Sequence, residues 1–285
     1  MIMYESTHHI ELNKNKIFRA HYEQVVVVKI GGSVMSELPD SFYEEIVHLN
    51  NSGWFPVIVH GGGPSITAML KKLGIESTFV DGLRVTDAET LDVVQMVLNG
   101  KENSEVVKKL YKAGGKAIGL SGLDDGMLKA EQLDPRLGFV GKITEINFSL
   151  LEQFYLTKTI PVISPLGMDD NGQIYNVNAD TVSQAIAVHL SAKKMLMVSD
   201  IPGIYHTENG KREILHQLTP EDIEVLKTEC QVTKGMIPKV NAAISCLEQG
   251  VEDIYIIDGR DEGIISKIFS NKAVGTKICN KAEVV

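Results

Sequence analysis

Val25-Val26-Val27-Val28-Lys29-Ile30-Gly31-Gly32-Ser33 constrains this chain more than any other stretch. Four valines running into a lysine and two glycines read as a strand buried on both faces that stops in a turn. Glycine lets the backbone approach a ligand closely, and the N–H groups of such a turn make a concavity for an anion. Lys29 ends the strand and points a cation at the same place. In an open parallel sheet this edge is where ligands bind, so the stretch predicts a phosphate site.

The rest of the chain repeats the theme. Pro56-Val57-Ile58-Val59-His60 predicts a second buried strand, followed by Gly61-Gly62-Gly63-Pro64. Ile66, Met69, Leu70 and Leu73 then form a helical stripe that ends at Gly74. Strand, triple glycine and helix N-terminus make a second anion cradle, with the helix dipole added.

Around Asp81-Gly82 a turn-bearing segment carries Arg84, and Thr86-Asp87-Ala88-Glu89 reads as a capping box. Arg84 is either a solvated surface residue or a bidentate clamp for a carboxylate. A long helical region runs from Leu91 to Leu110 with an interruption at Gly100. Met127–Gln132 and Phe139–Ile146 read as a β-hairpin, and Ala117–Ser121 and Ile160–Pro165 as strands. Asn176-Val177-Asn178-Ala179-Asp180 opens a helix, where Asp180 serves as N-cap or as something more. Further strands are expected at Met195–Val198, Asp253–Ile257 and, as a last edge strand, Gly275–Ile278. Alternating β and α elements predict a three-layer αβα sandwich on a mostly parallel open sheet. The boundaries expected are an extension at 1–24, a first lobe at 25–168 and a second at 169–285.

Composition narrows the chemistry. With 285 residues, a net charge of −9 and three cysteines lacking a CxxC pair, the chain fits a soluble protein of a reducing cytoplasm. The acidic balance disfavours nucleic acid and anionic membranes as partners. It also makes cations at glycine turns more telling. No GxxxxGK[ST] or strict GxGxxG occurs, so neither a P-loop nor a dinucleotide fold is expected. The eight histidines show no metal-ligand spacing, and no metal ligand is assigned.

Six motifs in order carry a resemblance: Lys29-Ile30-Gly31-Gly32-Ser33, His60-Gly61-Gly62-Gly63, Gly82-Leu83-Arg84-Val85-Thr86, Asn176–Asp180, Ser199-Asp200-Ile201-Pro202-Gly203-Ile204, and Gly235-Met236-Ile237-Pro238-Lys239-Val240. Together they resemble the amino acid kinase family, whose fold is carbamate kinase-like, and within it the branch acting on N-acetyl-L-glutamate. The resemblance implies transfer of a phosphoryl group from ATP, with Mg²⁺, to the γ-carboxylate, as in arginine biosynthesis. It implies that Lys29 and Lys239 neutralise the phosphoryl group and that Asp180 orients both. Gly31 and Gly32 would donate from the backbone. Gly62 and Gly63 would hold the γ-carboxylate region, Arg84 the α-carboxylate and Asn176 the acetylamino group. Ser199, Asp200, Gly235 and Met236 would line the nucleotide pocket. A homodimer is implied, with a hexamer as the alternative should residues 1–24 form a linking helix. Two other readings stand beside this one: a kinase for an aminoadipate derivative one methylene longer, and a ligand sensor without turnover.

Overall fold

The valine run becomes the central strand of the molecule. In the computed structural model, which describes residues 24–208, 211–228 and 237–280, all six residues of Val25–Ile30 are buried. Val25 and Val27 enter one apolar cluster, and Val26, Val28 and Ile30 enter another on the opposite face. The side-chain period of two in a strand thus divides one apolar run between two layers.

The main sheet has eight strands among the described residues: β1 (Val25–Ile30), β2 (Phe55–His60), β3 (Ala117–Ser121), β4 (Ile160–Ser164), β5 (Lys194–Ser199), β6 (Gln217–Leu218), β7 (Asp253–Asp258) and β8 (Thr276–Cys279). Their spatial order is β6-β8-β7-β5-β1-β2-β4-β3. Every neighbouring pair is parallel except β7 with β8. The helices are α1 (Asp40–Asn51), α2 (Gly63–Leu73), α3 (Ala88–Gln95), α4 (Asn103–Lys112), α5 (Ser149–Leu156), α6 (Ala179–His189), α7 (Pro220–Thr228), α8 (Ile237–Glu248) and α9 (Ile264–Phe269). Buried residues of α5, α6, α7 and α8 join the cluster on one face, and those of α1, α4 and α9 join the other. The expected sandwich is present.

β1 lies between β2 and β5, so the chain leaves it first toward one edge and later toward the other. Such a reversal opens a crevice at the C-terminal ends of the strands. Next to it, four short strands (Leu128–Gln132, Val140–Ile146, Leu166–Met168 and Ile174–Val177) close into a ring of pairings. The expected hairpin is two of its sides, and Asn176 is registered opposite Val140 within it.

Four local expectations change. Gly275–Ile278 was expected as an edge strand, but β8 lies one place in, covered by the two-residue β6. Leu73 ends the stripe of α2 exposed rather than packed, because the helix stops there at left-handed Gly74. The cap before α3 is Asp87, whose side chain accepts from the Thr90 N–H. Thr86 is committed elsewhere: its N–H bonds Leu137, its carbonyl accepts from Phe139, and its hydroxyl donates to the Arg84 carbonyl. The interruption at Gly100 is a π-helical segment, Met96–Glu102, that joins α3 to α4 without a break.

Candidate functional site

Two glycine turns meet at the crevice. The Gly31 N–H donates to the Val198 carbonyl at 2.9 Å, and the Gly61 N–H donates to the Ile30 carbonyl at 3.0 Å, which ties each turn to a neighbouring strand. A Cβ placed on Gly32 would lie 2.8 Å from the Gly62 nitrogen and 3.0 Å from the Gly63 nitrogen. The turns therefore pack backbone on backbone, and only glycine fits at position 32. α2 starts at Gly63 with Pro64 in its first positions, and its first N–H groups have no partner within the helix. A Cβ on Gly63 would meet nothing within 4 Å, so this side of the cradle is open.

Arg84 closes the far end. It follows a tight turn in which Asp81 and Gly82 both take positive φ, 50° and 81°. Only 7% of it is exposed. One Nη atom donates to the Gly63 carbonyl at 3.1 Å and to the Thr67 hydroxyl at 2.8 Å; the other donates to the Ser77 hydroxyl. The guanidinium also lies over the Phe79 ring, 4.7 Å from its centre. No carboxylate among the described residues pairs with it. Burial lowers its pKa, because the charged form has lost water without gaining an anion. A surface residue would show neither feature, so the clamp alternative is the one the geometry favours.

Asp180 is not the cap of α6. The Asn178 side chain caps it, accepting from the N–H groups of Asp180 (2.8 Å) and Thr181 (3.3 Å). This leaves the Asp180 carboxylate free to reach the Lys29 ammonium at 2.8 Å. Lys239 stands in the first turn of α8. Its pKa is lowered by burial first and by the charge of Lys29 second, against the opposing pull of Asp180 and Asp200. Two lysines and one aspartate thus share one electrostatic neighbourhood.

Two cavities adjoin this group. One of about 190 Å³ is lined by Gly61–Gly63, Arg84, Asn176 and Asp180, among others. Another, of about 300 Å³, is lined by Asp180, Thr181, Gln184 and Lys239, among others. Asp180 belongs to both walls. Asn176 is positioned by the small ring, and its amide donates to the Thr86 hydroxyl at 3.2 Å. Gly62, Gly63, Arg84, Asn176 and Asp180 therefore meet on one cavity, with Lys29 joined through Asp180 and Lys239 on the adjoining wall.

Ser199 ends β5, Asp200 follows it, and neither lines either cavity. The Ser199 hydroxyl accepts from the Ile201 N–H at 3.3 Å, and the Asp200 carbonyl accepts from Arg260 at 3.1 Å. Gly235 and Met236 lie outside the described residues. Sequence reasoning passed over Arg260, which bonds Asp258, Glu37 and Asp200 at the strand ends. Its signal was available, since a charged residue follows a buried strand and a glycine. It also gave neither His60 nor Asn103 a part in the chemistry. A mid-helix asparagine in an otherwise amphipathic segment gives little notice of its partners.

The arrangement can bind a dianionic acid at the glycines and Arg84, and bring a second anionic group to Lys29 and Lys239. The amino acid kinase family model matches residues 24–258. The chain is 42% identical to an acetylglutamate kinase of Ruegeria pomeroyi, over 90% of this chain and 89% of that one. Among solved structures it is similar to smu.665 from Streptococcus mutans, with a TM-score of 0.77 at 30% identity, covering 90% of this chain and 99% of that one. Carbamate kinase from Giardia lamblia shares the fold, with a TM-score of 0.65 at 14% identity, covering 90% and 99%.

Proposed function

The chain belongs to the amino acid kinase family, and from that premise we propose that it phosphorylates the γ-carboxylate of N-acetyl-L-glutamate with ATP. The product is N-acetyl-L-glutamyl 5-phosphate, and the reaction is an early step of arginine biosynthesis. The curated relatives that carry this activity in their name are about 40% identical over nearly the whole chain. The observation that carries the reading is Arg84: a buried guanidinium with no carboxylate among the described residues, lining a cavity whose wall also includes the start of α2 and Asp180, the partner of Lys29.

A carboxylate with an ordinary pKa near ~4.3 is ionised at neutral pH, so the acceptor needs no general base. The difficulty is bringing two anions together. The remedy is positioning and charge neutralisation. Arg84 holds the α-carboxylate, Asn176 reads the acetylamino group, and the N–H groups at Gly62 and Gly63 hold the γ-carboxylate. Lys29 and Lys239 neutralise the phosphoryl group in flight while Asp180 keeps both ammonium groups aimed. Gly31 and Gly32 add backbone donors, and Ser199, Asp200, Gly235 and Met236 form the nucleotide side. Magnesium bound with ATP would supply further charge neutralisation at the phosphates, and no protein ligand is assigned to it. The exposed Asp200 fits an open nucleotide side of that kind, with no closed protein cage.

The division of labour follows the chain in outline, with residues 25–168 serving the acid and 169–285 the nucleotide, apart from Asn176, which reaches back to the acid. We further propose a cytoplasmic homodimer. The free, buried thiol of Cys246 suits a reducing compartment, and light scattering of the purified protein decides the assembly.

The test is ATP turnover with Mg²⁺ and hydroxylamine to trap the acyl phosphate, comparing N-acetylglutamate, glutamate and N-acetylaminoadipate. Hydroxamate formed chiefly from N-acetylglutamate is expected. Preference for the longer acid, or nucleotide binding without turnover of any acid, overturns the assignment.

A further inference from the structure

His60, the last residue of β2, is wholly buried, and the mechanism above leaves it unused. It stands directly before the triple glycine. The Asn103 Nδ2 atom lies 3.1 Å from His60 Nε2, 2.8 Å from the Val162 carbonyl and 3.3 Å from the Leu120 carbonyl. Two carbonyl oxygens fix which end of that amide faces them. It must be the NH₂ end, since the reversed amide would set oxygen against two oxygens. The other end, Oδ1, packs against Gly119, where a Cβ would collide with it.

The NH₂ group has two protons for three acceptors and cannot itself accept, so a proton on Nε2 would face a donor and bond nothing; Nε2 is the acceptor, sharing one of those protons. The ring proton then sits on Nδ1, which lies 3.0 Å from the Gly61 carbonyl and donates to it. The ring is neutral. Burial lowers its pKa, against weaker opposing effects of the Gly61 carbonyl and of Glu102.

The Gly61 carbonyl and the Gly62 N–H belong to one planar peptide unit and point in opposite directions. Between two glycines such a unit has little steric preference for either orientation. A carbonyl held by His60 leaves the Gly62 N–H on the opposite side, where the Gly62 and Gly63 nitrogens converge on Gly32. We propose that His60, locked by Asn103 as the neutral Nδ1–H tautomer, is a positioning residue that keeps the Gly62 N–H turned into the anion cradle. This deepens the reading of the glycines as the γ-carboxylate site and rests on it.

The tautomer is testable without turnover. In a long-range ¹H–¹⁵N correlation of the full-length labelled protein, the His60 signals are those that vanish in His60→Asn. A neutral Nδ1–H pattern unchanged from about pH 5.5 to about pH 8.5 is expected. An Nε2–H ring, or one that protonates near neutral pH, overturns the positioning role. The variants then separate positioning from packing. Asn places an amide near the position of Nδ1, so His60→Asn should keep affinity and kcat/KM for N-acetylglutamate within about fivefold. His60→Gln and His60→Leu should each lose about tenfold to a hundredfold, the scale of a displaced binding group. Equal losses in all three variants overturn the proposal in favour of packing. A wild-type protein with an Nδ1–H ring but no affinity for the acid overturns the assigned substrate instead, so the two failures are distinct.

Discussion

Two aspartates in this molecule are each set against two lysines, near opposite ends of the sheet's strands. Asp253, at the start of β7, takes Lys194 on one oxygen at 2.7 Å and Lys277 on the other at 3.2 Å. Lys194 also lies over the rings of Tyr255 and Phe269, at 5.3 and 5.9 Å. That group is closed: each carboxylate oxygen has an ammonium, and aromatic faces cover one of the cations. Asp180 has the same stoichiometry and a different setting. It pairs with Lys29 at the C-terminal end of β1, it shares Lys239, and its flanks are glycine turns, a helix N-terminus and the unneutralised Arg84. A carboxylate between two lysines is thus a scaffold that either end of a strand can carry. What sets the Asp180 group apart is surplus positive charge facing open space.

The comparison is broken most directly at the lysines. Lys29→Ala or Lys239→Ala should lower kcat by about 10²–10³ while the protein stays folded, as expected when one contact to developing charge is removed. Hydroxamate formation beside a circular dichroism spectrum checks it, and activity near the wild-type level would place Asp180 with Asp253 as scaffold. Next in size is Arg84→Ala. Loss of a charge-assisted pair worth about 1.5–3 kcal/mol should raise KM for the acid by about tenfold to a hundredfold with a smaller change in kcat. Arg84→Lys should recover little of it, since an ammonium cannot reproduce the planar fork.

A third expectation concerns pH. Burial and Lys29 push the Lys239 pKa below its ordinary 10.5, so the folded protein loses that proton before a free lysine would. The alkaline limb of kcat/KM, which reports the free enzyme, should therefore begin below that value, and Lys239→Arg should move it upward in whatever activity remains. Stability runs the other way. The cost of holding this ammonium is fully present below the folded pKa. It is relieved as pH rises toward 10.5, because the unfolded chain there binds more protons. Denaturant titrations across the window read that sign. The smallest effect belongs to the closed group: Lys194→Met should change kcat/KM less than about twofold and lower the melting temperature by about 2 °C.

How far the sequence spoke for itself depended on whether the signal was local. The valine run, the triple glycine and the left-handed stop at Gly74 were legible because strand period and turn chemistry are properties of neighbouring residues. Arg84 was legible only through the resemblance, since the same alternation of Leu83, Arg84 and Val85 suits a surface or a cavity wall. Only the partners at Gly63, Thr67 and Ser77 distinguish them. Thr86 read as a cap for a similar reason: its competing bonds come from residues 137 and 139, fifty positions away. β6, with two residues, is too short to show any period. Asp180 was left open between a cap and something more, and that Asn178 takes the capping task became visible only in three dimensions.

The π-helical segment at Met96–Glu102 sets a rule about length. A π turn closes from residue i to i+5, where an α turn closes to i+4, so this stretch carries a residue that a plain helix would omit. Straightening this turn into plain α-helix at the same length would turn everything beyond it by about 100° relative to everything before. Leu98, which seals the back of Gly62, and Asn103, which anchors His60, could then no longer face their partners together. The turn at Asn171-Gly172, exposed and between two short strands, has no such phase to keep. An inserted residue should be admitted at the second place and rejected at the first, although the first looks like ordinary helix; a single deletion at the first should be absorbed as plain α-helix.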